Sequence, residues 1–326
     1  MDCSLRNNLN FLSKEHFLYL KGLAIAAIFI GHIGNFSGRT WFTPLGGIGV
    51  AIFLFCSGYG LTKSYEKNGL KQYWRKKLMG VYVPFLLVEL LFSLVLKRPF
   101  VDVLLDISLV KTLHPYGWYM QYLFVCYIIF WLLFLLVSSE WLRLFVLAVL
   151  SVGSFFVFEN LQAEQALSFL FGVFLATLDC KGKRNEVAGK AGLGAFSRKA
   201  FLLLGLGLIT FSVLMLAIKQ LPAVREAHHY LLTTVNLLIK FPCAIGLVFA
   251  TWGLHPFSKT GAFLGKISYP LYLLHGYFMF ITSKRLFLGH FIPSAVLTLL
   301  ASIAASVVLQ YAILTLNGLI KRGRRR

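Results

Sequence analysis

Two ionisable residues, Lys21 and His32, stand eleven positions apart in FLYLKGLAIAAIFIGHIGNF, a stretch otherwise apolar enough to cross a bilayer. On an α-helix, eleven steps of about 100° return to within roughly 20° of the start, so both side chains share a face about 16 Å apart along the axis. An ionisable group near the bilayer centre costs at least ~2.5–3.5 kcal/mol on insertion scales, which favours internal cavities and makes such residues candidates for chemistry. An imidazole suits general-base work near neutral pH, whereas a buried histidine of purely structural role would hydrogen-bond a neighbouring helix. Both readings of His32 stand at this point.

A second cluster lies in GKISYPLYLLHGYF, where Ser268, Tyr272 and His275 are spaced by four and three residues and form one polar stripe on an apolar helix. Tyr269 points away from that stripe, and Pro270 loosens the backbone beside it. A third segment, FLFCSGYGLTKSY, holds Ser57, Gly58 and Tyr59; Gly58 and Gly60 remove side chains and admit either a neighbouring helix or an extended ligand such as a pantetheine arm. No G-x-S-x-G elbow surrounds Ser57. Lys71, Arg75, Lys76 and Lys77 could hold the phosphates of a nucleotide-derived cofactor, bind anionic lipid, or simply fix topology. Lys240, two residues before Pro242, and Glu89, amid VPFLLVELLFSL, are intramembrane charges, and Glu89 could pair with Lys240 or with a histidine.

The elements that must position these residues follow from composition. The chain of 326 residues is 58% hydrophobic and 13% charged, well below the ~25% charged content of soluble domains. It reads as an all-α, polytopic membrane helix bundle and a single domain over 1–326 with a short basic tail. Windows of about 20 apolar residues fall near 17–36, 46–63, 78–96, 118–138, 141–158, 165–179, 200–218, 231–252, 263–283 and 293–320, giving about ten transmembrane helices. Of the 32 Lys and Arg, 21 collect on one side of these spans, eight on the other, and Lys21, Lys240 and Lys266 lie inside. That bias places both termini in the cytoplasm and explains the net charge of +20 without nucleic acid. The five cysteines contain no CxxC pair, so neither a disulfide framework nor a metal site is expected. The glycines of KGKRNEVAGKAGLGAFSRK do not form a phosphate-binding loop, and the segment reads as a flexible basic connection.

The order of KGLAIAAIFIGH, FLFCSGYG, the basic run ending in VYVPF, GWYMQYLFVCY and ISYPLYLLH resembles the acyltransferase 3 family of integral membrane O-acyltransferases, over essentially the whole chain. The resemblance implies an acyltransferase of the cytoplasmic (inner) membrane. It would move an acyl group, acetyl in the simplest case, from acetyl-CoA to a hydroxyl of a cell-envelope glycan or a lipid-linked sugar. It gives His32 a catalytic role and puts Lys21 in the place of the family's arginine, which ten intervening residues separate from the histidine. Arg75, Lys76, Lys77, Ser57, Gly58 and Tyr59 fall in its donor-binding signatures, while Ser268 and Tyr272 fall in its ninth-span signature. Independently of the resemblance, the first and ninth spans run in the same direction, which puts His32 and His275 at similar depths, so that both could line one cavity and His275 joins His32 and Lys21 as a catalytic candidate. Where the family usually has R-x-x-R ahead of a proline, this chain has Lys77 and Gly80 before Pro84. A transporter or exporter of a glycan intermediate, with Lys21, Glu89, Lys240 and the histidines lining its path, is the alternative from another functional class.

Overall fold

Ten long helices occupy the ten apolar runs in a computed structural model that describes residues 11–112, 116–158, 160–187, 197–226, 228–256, 258–283 and 291–323. They are α1 (Lys14–Phe36), α2 (Thr43–Asn68), α3 (Tyr73–Val95), α5 (Trp118–Leu136), α6 (Glu140–Val157), α7 (Ala166–Val187), α8 (Arg198–Ile218), α9 (His229–Leu254), α10 (Lys259–Ser283) and α11 (Phe291–Gly323); a short α4 (Phe100–Ile107) follows α3. Arg6, Lys190, Lys284, Arg285 and the tail from residue 324 lie outside the described residues. Nine of the described helices are long and apolar enough to cross a membrane. The remaining long helix, α10, is more polar, carrying Lys266, Ser268, Tyr269, Tyr272, His275 and Tyr277. Most of those side chains are buried between neighbours, which is how a span of lower hydropathy is accommodated.

Local sequence sets the helix ends and irregularities. Ser13 caps α1 by accepting from the His16 amide at 3.1 Å, and Ser139 and Ser197 do the same for α6 and α8. The third helix begins earlier than its apolar window suggests, so Arg75, Lys76 and Lys77 sit within its first turns rather than in a preceding loop. A π-helical turn at Leu78–Tyr82 then leads into Pro84, whose missing amide could not continue an α-helical ladder. Tyr269 of α10 donates to the Val81 carbonyl of that turn at 2.6 Å.

Small residues bring backbones together. A Cβ on Gly22 of α1 would strike the Gly261 carbonyl of α10, and one on Gly265 would strike the Leu18 carbonyl. The α2–α7 pair is equally close, because a Cβ on Gly58 would run into the Phe169 carbonyl and one on Gly172 into that of Phe55. In an apolar solvent such packing, rather than burial of oily surface, drives helix association.

Buried charges are matched across helices. Lys240 bonds Glu164, just before α7, and Asn236 donates to the other carboxylate oxygen at 2.7 Å. Glu89 accepts from Tyr277 and lies 3.4 Å from Arg98, which also lies 3.6 Å from Asp106 of α4. The expected pairing of Glu89 with Lys240 is therefore incorrect, since each charge finds a nearer partner on another element. Lys219, just beyond α8, is held below the ordinary lysine range by burial first and by the Lys240 ammonium second.

Two stability outcomes follow. Gly58→Val should lower the thermal midpoint of purified protein by the equivalent of about 1–3 kcal/mol, the usual range for overpacking. Lys240→Met should cost about 3–5 kcal/mol by stranding Glu164, with much of the loss recovered in Lys240→Met/Glu164→Leu. Differential scanning fluorimetry checks both; an unaltered midpoint in either single variant would contradict the packing described.

Candidate active site

The glycine contact between α1 and α10 fixes a register. Gly22 faces the stretch between Gly261 and Gly265, and His32 and His275 each stand ten residues beyond Gly22 and Gly265. Equal advance along two parallel, touching helices brings the imidazoles to the same level. His32 Nδ1 lies 2.8 Å from His275 Nε2, with ring centroids 5.0 Å apart and planes within 5°. His275 is fully buried, whereas His32 is only half-buried.

The tautomers follow from the partners. His275 Nδ1 lies 2.6 Å from the Tyr272 carbonyl and 3.1 Å from that of Leu271. Carbonyl oxygens only accept, so Nδ1 carries the hydrogen and Nε2 of a neutral His275 is an acceptor. His32 must then donate from Nδ1, which leaves its lone pair on Nε2. That atom lies beside Gly46 in the first turn of α2, 3.6 Å from where a Cβ on Gly46 would be. The chain from carbonyl to imidazole to imidazole is the wiring of an oriented general base, with His275 in the orienting place.

Tyr116 packs its ring on His32 at 3.8 Å between centroids, and Tyr272 donates to the Tyr116 carbonyl. Burial pushes the Tyr116 phenol up to about 12, so it stays protonated. Tyr272 thus positions the residue that covers His32. Ser268, by contrast, donates to its own helix at the Gly265 carbonyl, 2.9 Å away, and does not join the imidazole pair.

Lys21 lies on the same flank of α1 nearer the N-terminal end, with its Nζ 5.0 Å from the centroid of Phe17. It interacts electrostatically with Cys56 of α2 and Lys77 of α3. Lys77 in turn lies 4.7 Å from the Tyr127 ring centroid and 5.8 Å from that of Tyr73. The structure therefore brings Lys21 and Lys77 together at one end of the flank and His32 and His275 at the other. Arg75 is half-buried and Lys76 exposed on α3. Gly80, beside them, has open space where a side chain would stand.

The second-span trio is distributed differently from the expected donor signature. Ser57 is within hydrogen-bonding reach of Tyr119 and Tyr127. Gly58 is used up in the α2–α7 contact. Tyr59 donates to Asp179 at 2.6 Å and receives the Leu12 amide at 3.3 Å, which ties the N-terminal segment to α2 and α7. Gly58 and Tyr59 thus serve packing and anchoring. Sequence reasoning missed Tyr116, although it adjoins the GWYMQYL string, because a tyrosine in a connection has no periodicity to mark it. Glu164, Arg98 and Asp106 were missed for the same reason. Among the described residues, no group of three or more His, Cys, Asp or Glu could hold a metal ion.

A helical bundle that keeps an oriented imidazole inside it, with two ammonium groups along the same flank, defines a multi-pass membrane protein. Residues 17–312 match the acyltransferase domain of the acyltransferase 3 family, so the chain belongs to that family and is a membrane acyltransferase. No curated protein and no solved structure matches it.

The tautomer assignment has a direct spectroscopic consequence. Histidine ¹⁵N spectra of the purified protein should place the His32 lone pair on Nε2. His275→Ala should lose that preference and about 10²-fold in kcat, whereas His275→Gln, which can offer a carbonyl acceptor to His32 Nδ1, should retain more of both. A His32 resonance pattern with the lone pair on Nδ1 would refute the wiring.

Proposed function

We propose that the protein transfers an acyl group, acetyl in the simplest case, from acyl-CoA to a hydroxyl of a cell-envelope glycan or its lipid-linked precursor, across the cytoplasmic (inner) membrane. The observation that carries this reading is the hydrogen bond between His32 Nδ1 and His275 Nε2, which presents His32 Nε2 as a base. The acceptor hydroxyl gives its proton to His32 Nε2 as its oxygen bonds to the thioester carbonyl carbon. When the carbon–sulfur bond breaks, the departing thiolate takes that proton back from Nε2. His275 spreads the transient positive charge of His32 toward the Tyr272 carbonyl, and Tyr116 limits the motion of the ring. Lys21 and Lys77 supply positive charge for the donor's phosphates, and the roughly 16 Å from Lys21 to His32 is a span suited to an extended pantetheine arm.

The bias of basic residues toward the end holding Lys21 and Lys77 favours donor entry from the cytoplasm. His32 lies near the opposite end of α1, where an acceptor on the outer side would reach it. The exporter reading has no comparable support, because the charges it would use to line a path, Glu89 and Lys240, are locked into buried pairs.

The reading is tested with purified protein, labelled acetyl-CoA and envelope glycan from cells lacking the gene. Wild-type protein should label the glycan, and His32→Ala should lower the rate about 10²–10⁴-fold while keeping thermal stabilisation by CoA. Undiminished transfer in the variant would remove His32 from the chemistry.

A further inference from the structure

A cavity of about 410 Å³, within the range of small-molecule sites, lies between the ends of α2, α5 and α7 and the start of α6. Asp179, beside its Cys180 wall, accepts from Tyr59, which receives the Leu12 amide just before α1. The cavity therefore shares the Lys21 end of the bundle and lies away from the histidine pair. Arg143 lines it, with its guanidinium 4.6 Å from the Phe134 ring centroid and 5.1 Å from that of Tyr65. Its Nε donates to the Val137 carbonyl at 2.5 Å and its Nη2 to the Tyr65 hydroxyl at 3.2 Å, which leaves three of the five guanidinium donors. Among the described residues no carboxylate takes them. Glu140 is engaged by Lys181 at 3.3 Å, and Glu66 by Lys63 at 3.7 Å and by the Cys180 thiol. A guanidinium partly dried by two rings and short of a counter-anion is a receptor for an oxyanion.

Its surroundings narrow the choice of oxyanion. Tyr65 and Gly69 line the cavity and also border a narrow cleft whose other residues include Lys76 and Lys77. One row of rings serves both cations: Lys77 stands over Tyr73, Tyr73 stacks on Phe130 at 6.1 Å, Phe130 stacks on Phe134 at 3.9 Å, and Phe134 carries Arg143. Arg143 and Lys77 are thus neighbours across Tyr65. In the acyl-transfer reading Lys21 and Lys77 meet the donor's phosphates, but CoA has a diphosphate on the 5′-oxygen of its ribose and a further monoester on the 3′-oxygen. Groups on one ribose stay close together, so a diphosphate at Lys77 keeps the monoester within reach of the next cation.

We propose that Arg143 and Tyr65 form the seat of the 3′-phosphate of CoA, with the adenosine lying in the cavity against Leu144 and Val173. This role rests on the acyl-CoA donor proposed above and adds to it a determinant of donor choice. The guanidinium fork holds two phosphate oxygens, and the Tyr65 hydroxyl, which accepts from Nη2, keeps its own hydrogen for the third. A carboxylate, with two oxygens and one charge, would use this set less fully.

The test is calorimetric titration of purified full-length protein with CoA and with dephospho-CoA, which differs only in lacking the 3′-phosphate. Wild-type protein should bind dephospho-CoA about tenfold more weakly, the scale of one charge-assisted bond. Arg143→Met should weaken CoA about tenfold and leave dephospho-CoA where it was, so that the preference disappears in a protein whose remaining binding shows it to be folded. If Arg143→Met fails to fold, Tyr65→Phe, which keeps the ring beside the guanidinium and removes the hydroxyl, should narrow the preference about threefold. Equal binding of the two nucleotides by wild-type protein, or a preference that survives these substitutions, would overturn the proposal and leave acyl transfer through His32 standing. Binding of neither nucleotide would instead remove the donor reading beneath it.

Discussion

The backbone contact between α1 and α10 is the constraint on which the rest depends. Gly22, Gly261 and Gly265 let two helices touch without intervening side chains, and touching helices of equal rise hold their later residues in register. Ten residues further along each, two imidazoles meet at hydrogen-bonding distance. Any side chain at the glycine contact would wedge the helices apart and slide His275 away from His32. The chemistry of the site is thus set by three residues that carry no chemistry themselves.

The surroundings convert that meeting into a defined protonation pattern. An isolated imidazole pair could hold its hydrogens in either order. The carbonyls of Leu271 and Tyr272, within one turn of His275, remove the choice. Pro270 lies beside this turn in α10, but Tyr269 and Tyr272 brace the helix against α3 and the Tyr116 backbone. The same economy governs the charged groups: Lys240 with Glu164, and Glu89 with Arg98 and Tyr277, are each matched inside the bundle, so they stabilise a specific arrangement without forming an aqueous path.

Much of this was legible in the sequence. Run length and apolarity located all ten long helices, even α10, whose polar residues lower its hydropathy, because apolar length is a property of one segment. The common depth of His32 and His275 followed from parallel direction alone. What could not be read were choices between distant partners. Glu89 gave no sign that Arg98 and Tyr277 would claim it, and Tyr59 looked like part of a ligand signature until Asp179, 120 residues away, was seen to accept its hydrogen. The start of α3 was placed late because Arg75, Lys76 and Lys77 break an apolar window while being good helix formers. Family membership came from the order of loose strings along the chain, and the match over 17–312 bears it out.

Whether His32 and His275 act as one unit is decided most directly by a double-mutant cycle on acetyl transfer. Residues that work through a single hydrogen-bonded chain are strongly non-additive. The rate of His32→Ala/His275→Ala should equal that of His32→Ala alone, since an orienting residue has nothing left to orient. Independent, multiplicative losses from the two substitutions would contradict the account.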